Sequence, residues 1–336
     1  MKVQITGVTS NQLNIRRKKN PLFSAAKGLL DFFENEKYDV ENTPEVVDTD
    51  ILLYGLYSLN SFVSGGFLKT AEVLTNAIKE NKKIALFVDD WHLDSIGKNI
   101  TACSKDIDGY LRFGEKMLKR KATPKEREEY EKALKFIVSS SAPILVHVLP
   151  WLVDDEECKQ NYAKALNVDE SRVILYDPTM FLNWDLPKPK QEYYAKNKAW
   201  VVASRYDFTR FVNKIMKPTW PVIYYGCKKV PNANFVPNEG DLVETAFRPN
   251  WGLVSHPYPA HLQGQWRNKF VFSGLAKSII LAYGKEKQDM TTFFDRQDIE
   301  KMSISVLEAL SRAQTAEMLR YMDYDKSAGR VKEAVR

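Results

Sequence analysis

The feature that most constrains the fold is a run of short, unbroken apolar segments alternating with stretches of helical period. Residues 50–54 and 83–88 are apolar enough to be buried on both faces, residues 1–6 open the chain as a further strand, and each is followed by a loop. Residues 21–35 carry Leu22, Ala25, Ala26, Leu29, Leu30, Phe32 and Phe33 at helical spacing, and residues 67–81 predict a second helix. Strands without polar alternation, separated by helices, predict a parallel sheet covered on both sides. The rhythm continues with helical residues 106–139, in which Pro124 marks a helix start. A strand over 142–149, an acid-headed helix over 154–166 and a strand over 172–176 follow. Residues 177–198, with Pro178, Pro187 and Pro189, break the pattern and read as a linker. It then restarts: strands over 199–203, 221–225, 251–254 and 278–283, helices over 207–217 and 265–276, and helix from 298 to the end.

The 336 residues suit two such units better than one. The expected division is a first lobe over 1–180, a linker over 181–198, a second lobe over 199–297 and a C-terminal helical segment over 298–336 that returns to the first lobe. At 44% hydrophobic and 27% charged the composition is that of a globular chain, not a disordered one. No apolar run approaches the length of a membrane span, so no membrane partner is expected, and the polar start MKVQITGVTS does not read as a signal peptide. The three cysteines, Cys103, Cys158 and Cys227, are far apart, which argues against a disulfide framework or zinc site and for a reducing cytoplasm. The net charge of +6 is a mild bias towards polyanions.

Open parallel sheets bind ligands at the carboxyl ends of their strands, so the chemistry is sought in the loops there. Asp89 and Asp90 end the 83–88 strand. A carboxylate in a dry cleft has its pKa raised and can take a proton from a hydroxyl; an N-cap or loop role is the alternative. Ser204, Arg205 and Arg210 begin a strand-to-helix turn, where N–H groups and guanidinium donors suit a phosphate, or where they form a solvated helix face. Arg267 and Lys269 place two cations at a helix start, which the helix dipole disfavours unless an anion sits there. Gly226 closes the 221–225 strand. Gly65 and Gly66 permit close backbone approach to a ligand or a plain turn. Arg16, Arg17, Lys18 and Lys19 follow the first strand and suit nucleic-acid phosphates or a solvated loop. His256 and His261, five apart with prolines between, are poorly spaced as metal ligands.

The order of these pieces, MKVQITGVTSNQLNI, then FVSGG, then LFVDD, resembles the bacteriophage DNA β-glucosyltransferases. WVVASRYDFTRFVNKI followed by VIYYG resembles that family's second lobe. The likeness runs along most of the chain. It implies an α/β GT-B fold: two Rossmann-like lobes with a cleft between them and a C-terminal helix. It implies an inverting transferase that moves glucose from UDP-glucose to 5-hydroxymethylcytosine in duplex DNA by base flipping. The family's general base falls on Asp89, its serine on Ser204 and its second arginine on Arg210. Its first arginine position holds Tyr206, next to Arg205, and its ribose-binding glutamate has no counterpart. The sugar therefore stays open between glucose and a pentose, as from UDP-arabinose. A catalytically inactive DNA-binding relative and a transferase for a small molecule or polysaccharide are the other classes. The resemblance further implies a monomer in the host-cell cytoplasm, with Arg16 to Lys19, Gly65 and Gly66 at the DNA. It leaves a divalent metal, Mg or Mn, open.

Overall fold

A computed structural model describes residues 1–7, 25–42, 48–55, 70–88, 121, 123–147, 155–181, 200–203, 219–225, 234–236, 252–254, 279–281, 296–321 and 323–336. Strands β1 (Lys2–Thr6), β2 (Asp39–Glu41), β3 (Ile51–Gly55), β4 (Lys83–Val88), β5 (Ile144–His147) and β6 (Val173–Tyr176) form a six-stranded sheet in the order β2-β1-β3-β4-β5-β6. Every neighbouring pair in it is parallel. Strands β7 (Trp200–Ala203), β8 (Val222–Tyr225), β9 (Asn234–Val236), β10 (Gly252–Val254) and β11 (Ile279–Leu281) form a second, also parallel, in the order β11-β10-β7-β8-β9. The helices are α1 (Ala25–Asn35), α2 (Thr70–Lys79), α3 (Pro124–Ser139), α4 (Asp155–Leu166), α5 (Arg296–Lys301), α6 (Ile304–Tyr321) and α7 (Tyr324–Ala334).

The two-residue period of a strand sorts the first sheet's side chains between two cores. Val3, Ile5, Ile51, Leu53, Ala85, Phe87, Leu145 and Tyr176 join α1 and α7 in one buried cluster. Leu52, Leu86, Ile144 and Val146, the alternate residues, are also wholly buried, and α2, α3 and α4 supply Leu74, Ala77, Ala133, Tyr162 and Leu166 as further buried residues. All five residues of β3 are buried, which is why its sequence shows no polar alternation. Pro124 opens α3 as predicted. Thr123 caps it reciprocally: the Glu126 N–H donates to Thr123 Oγ1 at 3.2 Å, and the Thr123 N–H donates to Glu126 Oε2 at 2.7 Å.

Three local features depart from the sequence reading. The strands β2 and β9 are three residues long and carry no apolar run; backbone pairing to β1 and β8 makes them strands. The helical C-terminus is divided, with the Ser303 hydroxyl accepting from the Val306 N–H at 3.4 Å. The proline-rich stretch after β6 begins inside the first core. Residues Pro178–Phe181 form a 3₁₀ turn against α1. A side chain at Gly28 would sit 2.5 Å from the Pro178 carbonyl oxygen, so glycine at that point of α1 lets the turn close in. Phe181, buried, lies tilted against Phe32 with ring centroids 4.6 Å apart and meets Tyr324 edge-on at 5.5 Å. The predicted helices over 207–217 and 265–276 lie outside the described residues.

The C-terminal segment touches both sheets. At its start, Glu300 on α5 accepts from the N–H of Thr219 at 2.9 Å, the Thr219 hydroxyl at 2.7 Å and the Trp220 N–H at 3.2 Å, just ahead of β8. Helix α6 packs on β11. At its end, α7 lies against β6 and the 178–181 turn, with Val331 wholly buried. Lys332 pairs with Glu36 of α1 at 2.7 Å and lies 6.0 Å from the centre of the Phe32 ring.

Candidate active site

Strand order locates where each sheet opens. From β1 the chain passes through α1 to β2 on one side, and from β3 through α2 to β4 on the other. The two connections diverge, leaving a crevice at the carboxyl ends of β1 and β3, the position at which open α/β sheets take ligands. In the second sheet β7 leads to β8 on one side and β10 to β11 on the other, so the corresponding crevice opens at the ends of β7 and β10.

The first crevice is built on two glycines. Thr6 is in register with Tyr54, so Gly7 and Gly55 leave their strands at the same level. Gly7 has φ of +75°, a left-handed conformation that side chains resist. A Cβ at Gly7 would sit 2.6 Å from the Gly55 oxygen, 2.9 Å from its nitrogen and 3.0 Å from Tyr54 Cε1. Gly7 and Gly55 thus meet backbone to backbone. Gly55 is in turn level with Phe87 of β4, so three adjacent strands finish together. The sequence reading missed Gly55; the signal available was a glycine ending an otherwise apolar run.

The residues selected from sequence attach to these edges in a consistent way. Asp89 and Asp90 follow Val88, the last residue of β4, directly in the chain. Ser204 and Arg205 follow Ala203, the last residue of β7, and Gly226 follows Tyr225, the last of β8. Arg16, Arg17, Lys18 and Lys19 come after β1 in the chain, and Gly65 and Gly66 come after β3. Arg210, Arg267 and Lys269 belong to the connections after β7 and β10. All of these side chains lie outside the described residues, as do His256 and His261. Among the described residues no three His, Cys, Asp or Glu side chains come together as a metal site would require. None of the described helices is long and apolar enough to cross a membrane.

The perturbed ionisable groups among the described residues serve the scaffold. Burial lowers the guanidinium pKa of Arg172. Its side chain donates to the Ala142 and Val138 carbonyls and to Ser140 Oγ, tying the start of β6 to the end of α3. The hydrogen bond that Lys332 donates to Glu36 raises the Lys332 pKa, and partial burial, with the Glu36 charge second, raises that of Tyr324.

No protein-family model and no curated protein matches this sequence. Solved structures do resemble the fold. UGT73P12 of Glycyrrhiza uralensis, solved with glycyrrhetinic acid 3-O-monoglucuronide, superposes with a TM-score of 0.51 at 8% identity, over 99% of this chain and 94% of that one. A UGT transferase from Siraitia grosvenorii, solved with UDP, gives 0.49 at 10% identity over 99% of both chains. At such identities the likeness is one of fold, and it agrees with the two parallel sheets: the architecture is the two-lobed α/β arrangement of GT-B proteins.

Proposed function

We propose that this chain is an inverting glycosyltransferase that takes a sugar from a UDP-sugar and places it on the hydroxymethyl group of 5-hydroxymethylcytosine in duplex DNA. The observation that supports it is chain order: Asp89 directly follows β4, a strand next to β3, one of the two that bound the first sheet's crevice, and Ser204 and Arg205 directly follow β7, one of the strands that bound the second. One lobe then supplies the base and the other the donor contacts, which is the division a transfer between two substrates needs. The fold likeness to UGT73P12, solved with the glycoside glycyrrhetinic acid 3-O-monoglucuronide, is compatible with a sugar substrate.

In this reading the acceptor nucleotide is flipped out of the duplex towards the first lobe. The loops after β1 and β3, with Arg16 to Lys19 and with Gly65 and Gly66, hold the flanking phosphates. The Asp89 carboxylate removes the proton of the hydroxymethyl group. The freed oxygen attacks the anomeric carbon from the face opposite the diphosphate. The bond from that carbon to the β-phosphate oxygen breaks as the new one forms, and the configuration inverts. Ser204, the Gly226 turn, Arg205, Arg210, Arg267 and Lys269 bind the donor, and the cations offset the charge that grows on UDP. Asp90 is the alternate base. The test is UDP release from UDP-glucose and UDP-arabinose, with duplex DNA containing hydroxymethylcytosine or plain cytosine. Release that requires the hydroxymethyl group supports the reading. Release that instead follows a small phenolic or triterpenoid alcohol, and ignores DNA, assigns the fold to small-molecule acceptors.

A further inference from the structure

Among the described strands β6 is an outer strand of the first sheet. It is four residues, Val-Ile-Leu-Tyr, and its backbone groups that do not face β5 point outward. An apolar edge of this kind invites another strand, and proteins that stay soluble cover or interrupt it. In a parallel ladder a residue placed opposite Tyr176 on a next strand would do two things. It would donate its N–H to the Leu175 carbonyl and accept, through its own carbonyl, the N–H of Asp177.

Helix α7 makes both of these bonds with side chains. Arg330 Nη1 donates to the Leu175 carbonyl at 2.9 Å, and Ser327 Oγ accepts the Asp177 N–H at 3.2 Å. The two residues are three apart, hence on one face of the helix. Together they reproduce the donor and the acceptor of one peptide unit of a seventh strand. Ser327 and Asp177 are both buried, so the second bond is formed away from water. The helix is held there by Ala328, Val331, Ala334 and Val335, which enter the same core as Tyr176. Its start is fixed by the Asp323 carboxylate accepting from the Lys326 N–H at 2.9 Å.

The geometry points to a cap in cis: Ser327 and Arg330 close the β6 edge, and this keeps the first lobe from pairing through that edge with a second copy of the chain. A second copy is the fitting occupant because two β6 edges related by a two-fold axis offer each other the same outward donors and acceptors beside the same apolar side chains. The helix is therefore a positioning element whose polar face terminates the sheet and whose apolar face completes the core.

The experiment uses the full-length chain carrying Ser327→Ala and Arg330→Met, which removes both edge bonds and so lets α7 lift from β6 more readily. Exchange of the Asp177 amide is read at low protein concentration, and mass by sedimentation over a range of concentrations. Loss of the Ser327 acceptor is expected to speed Asp177 exchange by about tenfold. The double variant is expected to dimerise as concentration rises while the unsubstituted chain stays monomeric. Ser327→Thr with Arg330→Lys, which keep an acceptor and a donor, should restore slow exchange and the monomer. Unchanged Asp177 exchange overturns the cap. Faster exchange in a chain that remains monomeric at every concentration overturns the assignment of a second copy as occupant. If the double variant does not fold, Ser327→Ala alone decides by the same amide: about tenfold faster exchange supports the cap and no change refutes it.

Discussion

Replacing Gly7 with alanine tests whether the first crevice depends on Gly7 and Gly55 meeting backbone to backbone. The left-handed φ of +75° at Gly7 costs an alanine about 1–2 kcal/mol. The new Cβ also lies 2.6 Å from the Gly55 oxygen and 2.9 Å from its nitrogen, and both are backbone atoms of a wholly buried strand. Forcing them apart is an overpacking, which typically costs about 1–3 kcal/mol. The sum is roughly 2–5 kcal/mol of unfolding free energy, measured by urea denaturation followed by circular dichroism. Gly329 is the control. It lies in α7, and a Cβ there has nothing within 4 Å, so alanine should stabilise by about 0.5–1 kcal/mol. Should Gly7→Ala and Gly329→Ala change stability alike, or Gly7→Ala cost under about 1 kcal/mol, the close approach of the two glycines would not be what shapes the crevice.

Further outcomes follow from the same reasoning. Phe181→Ala empties a buried site between Phe32, Tyr176 and Tyr324 and should cost about 3–5 kcal/mol by urea denaturation; a loss near zero would make residues 178–181 a free linker. The pKa values of both Tyr324 and Lys332 are raised in the folded chain, above 10.0 and 10.5. A raised folded pKa gives stability that is full below the unfolded value and is lost as pH rises through the folded one. The seat of α7 should therefore weaken above about pH 10, and the difference in Tm between the unsubstituted chain and Lys332→Met should shrink between neutral and strongly alkaline pH. A constant difference would remove the Glu36 pair from the account. Converting Arg16, Arg17, Lys18 and Lys19 to alanine should flatten the slope of log DNA affinity against log salt by about 0.9 for each phosphate contacted, with donor KM unchanged. An unchanged slope would make the loop a solvated one.

What could be read from the sequence was set by burial. Lys83–Val88 and Val222–Tyr225 are legible because parallel strands covered on both faces need unbroken apolar residues, and their ends fix where Asp89 and Gly226 enter the chain. Asp39–Glu41 and Asn234–Val236 are not legible, because their side chains carry no strand signal and their conformation is imposed by a neighbour's backbone. Pro178 and Phe181 misled for a related reason. Prolines signal an exposed connection, yet glycine at position 28 on a distant helix opens the space that buries them. At the site, sequence identifies which residues follow which strand. It did not single out Gly55, whose importance comes from Gly7 reaching it across the sheet, and it did not pair Ser327 and Arg330 with β6, about 150 residues earlier in the chain.

The central claim is sugar transfer to hydroxymethylated DNA with Asp89 as the base. It is tested most directly by incubating the chain with hydroxymethylcytosine duplex and a panel of UDP-sugars, digesting the DNA to nucleosides and weighing them. The account predicts hydroxymethyldeoxycytidine heavier by one hexosyl or one pentosyl residue, made by the unsubstituted chain, absent with Asp89→Ala, and absent from DNA with plain cytosine. Nucleosides of unaltered mass with every donor, from a chain that still binds UDP, would contradict DNA as the acceptor. Undiminished product from Asp89→Ala would contradict the base.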